Sequence, residues 1–187
     1  MKRKTTKDYL AESFIELVEK RPVAKITITD ITDNCEYSQP TFYNHFKDKY
    51  DLISWIARNN AQNIISENDN PEEDPNEIIS CIIASFIKSM KEHQKVIFNI
   101  VSHILSDESF YRQIANVYID VIWEKMKERE TDADLSEEVY KVLQTYFYGI
   151  SIQAAHWLID GMPYPEEEIQ KTIKDTIPEK LKGSTIE

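Results

Sequence analysis

The sequence predicts an all-α protein of about nine helices, with a three-helix N-terminal head and a larger helical body. Three observations carry this. Apolar residues recur three and four positions apart along most of the 187 residues, the spacing of one helix face. Only three glycines occur in the whole chain. Capping residues, prolines and polar breaks fall between the periodic stretches, where helices should start and stop. The length is enough to bury a proper core in one or two domains.

The first helix is predicted over 6–20, where Leu10, Phe14, Leu17 and Val18 form one apolar stripe and Lys20-Arg21-Pro22 ends it. Lys2, Arg3 and Lys4 make a basic tip whose plainer reading is a solvated terminus. Residues 27–46 read as two short helices joined by a tight turn. Thr27 can cap the first, with Asp30 three residues on as its reciprocal partner. Ile31 and Cys35 face inward. Ser38 can cap the second, and Pro40 is tolerated in the first turn, where no intrahelical N–H bond is lost. Phe42 and Phe46, four apart, anchor that helix to the core. Gln39, Thr41, Tyr43, Asn44 and His45 are left facing outward, and these types donate to phosphates and base edges. The layout is that of a helix-turn-helix that reads DNA. A fourth helix starts near Asp48 and packs Leu52, Ile53, Ile56 and Ala57 back on the head.

Residues 27–49 closely resemble the DNA-binding domain of the tetracycline-repressor (TetR) family of bacterial regulators. The resemblance is carried by Thr27, Asp30-Ile31, Ser38, Thr41-Phe42-Tyr43, Phe46-Lys47 and Lys49, and it covers residues 4–64. It implies that Thr27 and Thr29 reach phosphates. It implies that Gln39, Pro40, Thr41 and Asn44 face the major groove, beside the cap Ser38. Tyr43, His45 and Lys49 are the implied phosphate contacts. The chain departs from the family at the turn, where Cys35-Glu36-Tyr37 stands for the usual Ala-Gly-Val. Glycine supplies a left-handed backbone without steric cost, whereas Glu36 in that geometry costs about 1 kcal/mol or more. Thr41-Phe42-Tyr43-Asn44, with Leu52 to Ile56 after it, is also similar to regulators of dihydroxyacetone kinase operons. That subgroup includes an activator that works with a kinase-like coactivator.

Charge divides the chain. Residues 1–65 hold 10 Lys+Arg against 9 Asp+Glu, and residues 66–187 hold 12 against 24, so the net charge of −11 sits in the C-terminal part. This suits a near-neutral head with an acidic body kept away from phosphates, or an acidic body that serves solubility alone. The polar break 66–75 is the expected boundary, giving a head over 4–64 and a regulatory and dimerisation domain over 75–182. Asp74-Pro75-Asn76-Glu77 reads as the capped start of a fifth helix reaching about Lys91. Further helices are expected near 93–105, 108–129 and 136–160, with a loop at 130–135. Gly161 ends the eighth. A ninth opens at Pro165, with Glu166-Glu167-Glu168 suiting its positive end, and stops before Pro178. The eighth reads as too apolar to have a fully solvated side. The family resemblance implies that helices 8 and 9 pair with their copies in a homodimer, on a double-stranded, roughly palindromic operator.

Aromatic and polar side chains of the body could line an effector pocket: His103, Tyr118, Trp123, Tyr146, Phe147 and His156, with Tyr148 and Trp157 beside them. For each, plain core or interface is the alternative. The body accordingly takes a small-molecule effector, or docks a protein coactivator. No Gly-rich phosphate loop, nucleophile elbow or paired-histidine metal motif is present, so neither an enzyme nor a cofactor is expected. Cys35 and Cys81 lack metal-ligand spacing and are expected to pack as small apolar side chains. No 18-residue apolar run or signal core occurs, which places the expected protein in the cytoplasm, off the membrane.

Overall fold

Thr5 starts the first helix by a reciprocal cap: its hydroxyl accepts from Asp8 N, and the Asp8 carboxylate accepts from Thr5 N at 2.6 Å. This helix, α1, is Thr6–Val18. The computed structural model describes residues 3–67, 78–129 and 136–181, the side chains of 78, 81 and 129 excepted. Eight further helices follow among the described residues: α2 Ile28–Asn34, α3 Gln39–Tyr43, α4 Lys49–Glu67, α5 Ile78–Glu92, α6 Gln94–Ile104, α7 Glu108–Arg129, α8 Glu137–Ile159 and α9 Glu166–Asp175. Short 3-10 turns occupy Val23–Lys25 and Glu179–Leu181. The expected cap at 74–77, the loop at 130–135 and the packing of Cys81 lie outside the described residues.

Contacts divide the chain into two compact units, Met1–Ala57 with Lys95–Gln113, and Arg58–Gln94 with Ile114–Glu187. The division falls inside α4 and inside α7, not at the polar break. In the first unit, Leu10, Phe14 and Val18 of α1 are buried with Ile31 of α2, Phe42 of α3 and Leu52 of α4. Ser13 is buried and its hydroxyl donates to Ile31 O at 2.6 Å, a polar tie between α1 and α2. α6 and the first turn of α7 pack with this head. Asn99 donates to Val18 O at 2.7 Å, and the Tyr50 ring contacts both His103 and Phe110.

In the second unit α5 packs on α8 and α9. Ile169 and Ile173 form the buried stripe of α9, and Gln170 donates to Ala84 O. α8 buries Leu143, Phe147, Ile150, Ala154, Trp157 and Leu158. Its opposite side is solvated after all: Glu138, Lys141, Thr145, Gly149, Gln153, His156 and Asp160 are exposed. These recur every three or four residues, so the apolar positions wrap most of the helix without closing round it. α8 ends through Gly161 at φ 79° and Met162 at φ 56°, left-handed geometry that only the glycine adopts freely.

Candidate nucleic-acid interface

The first helix of the motif is built on one carboxylate. Asp30 Oδ2 accepts from Thr27 N at 2.8 Å and from the Thr27 hydroxyl at 2.7 Å, while Thr27 Oγ1 accepts from Asp30 N at 3.2 Å. Arg21 pairs with Asp30 Oδ1 at 2.9 Å. The hydroxyl and amide of Thr27, helped by the Arg21 guanidinium, hold the Asp30 carboxyl at about 2. A depressed folded pKa stabilises above the unfolded value and is lost as pH falls through the folded one. Acid titration of the head, followed by circular dichroism, is therefore expected to weaken it between about pH 4 and 2. Asp30→Asn should show less of that acid dependence.

The turn keeps the family's geometry without its glycine. Glu36 sits at φ 59°, and Tyr37 N donates back to Thr32 O at 2.9 Å. Relief of left-handed strain and the greater chain entropy of glycine oppose each other here. Glu36→Gly is expected to stabilise by about 0.5–1 kcal/mol in urea unfolding, because the strain is the larger. Tyr37 in turn lies 6.3 Å from the Tyr9 ring of α1.

α3 is only five residues long, too short to hold itself together. Ser38 caps it, accepting from Thr41 N at 3.3 Å, and Pro40 occupies its first turn. Phe42 and Phe46 are buried with ring centroids 5.7 Å apart, and Trp55 of α4 closes on Phe46 at 5.9 Å. With that side fixed, Gln39, Pro40, Asn44 and His45 are exposed and Tyr43 is 56% exposed. Thr41 is half-buried, its hydroxyl 2.8 Å from that of Ser38. Gln39 Nε2 donates to Thr29 Oγ1 at 2.8 Å, joining α3 to the exposed start of α2. Exposed Lys25 and Lys47, absent from the expected contact set, flank the motif. Their signal was a basic residue at each end of the two-helix stretch.

Lys49 is placed differently from the other expected contacts. Its ammonium donates to Val23 O at 3.0 Å and Ile26 O at 3.1 Å, and burial lowers its pKa.

The expected effector residues do not share one pocket. Tyr118 and Phe147 come together, stacked at 5.9 Å, on an apolar cavity of about 10 Å³ that also touches Phe86, Ile122 and Ile150. That is room for about one water. The Tyr118 hydroxyl donates to Asn60 Oδ1 at 3.0 Å, and burial raises its pKa strongly. His103 lies in the head, stacked on Tyr50 at 5.8 Å. Burial and the Lys49 charge lower its pKa, against Asp107. Trp123 meets Tyr140 edge-on with Lys127 above it. Tyr146 donates to Ile173 O, and His156 is exposed on α8. Tyr148 donates to Asn116 and Trp157 to Tyr164 O. These aromatics fill separate helix–helix gaps instead of one hollow. No group of metal-ligating side chains occurs among the described residues, and no described helix is long and apolar enough to cross a membrane.

Together, a capped two-helix motif, an outward polar face and a separate helical body define a helix-turn-helix regulator. The model for bacterial regulatory proteins of the tetR family matches residues 15–54, and a transcriptional regulator C-terminal region of the same family matches residues 79–179. The chain belongs to the TetR family of bacterial transcriptional regulators. It is 30% identical over 63 residues to the HTH-type dhaKLM operon transcriptional activator DhaS of Lactococcus lactis subsp. lactis (strain IL1403). That match spans about a third of the relative's length, 34% of each chain. Among solved structures, the dihydroxyacetone kinase operon activator DhaS aligns at TM-score 0.58 and 18% identity, over 92% of this chain and 93% of that one. The fatty acid degradation regulator FadR of Bacillus halodurans aligns at 0.63 and 16%, over 99% of both. Thermus thermophilus FadR, solved in complex with lauroyl-CoA, aligns at 0.58 and 12%, over 91% and 92%. At these identities the likeness is one of fold.

Proposed function

We propose that this regulator binds a palindromic operator as a homodimer, with α3 in the major groove of each half-site. Gln39, Pro40, Thr41 and Asn44 read base edges. Thr27, Thr29, Ser38, Tyr43 and His45 seat the head on phosphates. The observation that carries this reading is the exposed row Gln39, Tyr43, Asn44 and His45 on a helix whose other side is locked by Phe42 and Phe46. Lys49 is left out of the phosphate set because its ammonium is already bound to two carbonyls. Dimerisation uses α8 and α9, where Thr145, Gly149 and Gln153 offer a solvated face with little bulk.

A small effector that represses or releases the operator would enter the body between Tyr118 and Phe147. The hydrogen bond from Tyr118 to Asn60 on α4 gives such an event a mechanical outlet. A second reading is an activator whose body docks a partner protein. Two observations favour it: the cavity is only about 10 Å³, and Phe98 of α6 is 40% exposed beside half-buried Val96, Ile97 and Val101. The test is capture of genomic fragments by the purified chain at near-physiological salt, with Tyr43→Ala as control. Enrichment of palindromic sites, lost in the variant, supports operator binding. Equal capture by both proteins contradicts it.

A further inference from the structure

Three carbonyls between the end of α1 and the start of α2 are held by side chains from later helices. Asn99 Nδ2 of α6 donates to Val18 O at 2.7 Å. Lys49 Nζ, at the start of α4, donates to Val23 O at 3.0 Å and Ile26 O at 3.1 Å. Val18, Val23 and Ile26 are at most 1% exposed, so this connector is seated in the core of the head. Val18 O belongs to the last turn of α1, where carbonyls lack intrahelical partners, and Asn99 supplies one.

The same connector reaches the recognition helix. Arg21 on it pairs with Asp30 at 2.9 Å, Asp30 holds Thr27 at the start of α2, and Gln39 of α3 donates to Thr29 at 2.8 Å. An unbroken series of polar contacts thus runs from α4 and α6, through residues 18–30, to the first residue of α3. Lys49 has two of its three donors turned inward along this series. The His103 ring of α6 stacks on Tyr50, the residue after it, and Phe110 closes on Tyr50 at 4.8 Å. The ammonium is therefore fixed on the protein side by neighbours from three elements.

We propose that Lys49 and Asn99 are positioning residues for operator binding: they set α3 by holding the α1–α2 connector, and Lys49 makes no phosphate contact. This rests on the operator reading above. It names α6, through Asn99, as an element that can shift the recognition helix without touching DNA.

The test uses the full chain, a duplex selected by the unmodified protein from a random-sequence pool, and poly(dI-dC) as non-specific DNA. Lys49→Met and Asn99→Leu are titrated against both across a salt series, with circular dichroism confirming the helical state. The expected result is about a tenfold loss on the selected duplex. Affinity for poly(dI-dC) and the slope of log K against log salt stay unchanged. A phosphate-binding role would instead lower both affinities and reduce the slope by about 0.9 for each phosphate no longer neutralised, overturning the assignment of Lys49. Lower melting temperatures with full operator affinity in both variants would mark a merely structural role and overturn the proposal. Should Lys49→Met unfold the head, Asn99→Leu, half-buried on α6, decides alone: a loss on the selected duplex supports the proposal and full affinity overturns it. If the unmodified chain selects no duplex, the operator reading itself fails and this inference falls with it.

Discussion

Phe42→Ala is expected to cost about 3–5 kcal/mol of stability, the range for emptying a buried aromatic site. Natural domains hold only about 5–15 kcal/mol in all. Phe42 is fully buried and its ring meets both Phe46 and Tyr43 at 5.7 Å. α3 has too few residues for local propensity to keep it folded. The helix exists because Phe42 and Phe46 tie it to α1 and α4, so losing the first anchor should unfold the motif before the rest of the head. Urea unfolding gives the total loss. Hydrogen exchange at residues 38–46, compared with α1, shows whether the opening is local. A loss below about 1 kcal/mol would mean that Ser38 and the turn, not the aromatic anchor, define the helix.

Asn44→Ala is expected to weaken a selected operator by about 1–3 kcal/mol, roughly 5- to 150-fold, with little change in stability. Asn44 is exposed, and its backbone N–H already bonds to Pro40 O at 3.0 Å, so the helix end survives truncation of the side chain. The loss should concentrate at one base pair of each half-site, because an amide side chain reads a donor–acceptor pair on one base edge. Tyr43→Ala should differ in kind. Removing a phosphate-binding side chain weakens all sequences alike and lowers the salt slope. Titration of both variants on the selected duplex and on single-base variants of it separates the two roles.

Much of the head was legible in the sequence because its signals are local. Thr27 with Asp30, Ser38 with Pro40, and Phe42 with Phe46 are each set by spacings of two to four residues, and each takes the expected place. Glu36 was also legible, since the turn geometry is fixed by its neighbours and only the residue changed. Lys49 was not. Motif spacing gives the position of an ammonium but not the carbonyls of Val23 and Ile26, which reach it through tertiary folding. His103 was misplaced for the same reason: α6 lies far from α1 along the chain, yet Asn99 bonds to Val18 O. The aromatic residues of the body suggested a pocket because aromatic content does not distinguish lining from filling. Tyr118, Phe86 and Phe147 mostly fill one another's space. The solvated strip of α8 was present in the sequence at Thr145, Gly149, Gln153 and His156. It was obscured because the apolar positions on either side are so many.

The central claim is that the row Gln39, Tyr43, Asn44 and His45 reads DNA sequence. Selection of binding sites from a random duplex pool tests it most directly, at near-physiological salt, with the unmodified chain and a Tyr43→Ala/Asn44→Ala variant side by side. The account predicts a palindromic consensus, with half-sites about one helical turn apart, for the first protein and none for the second. An identical consensus from both proteins would contradict it.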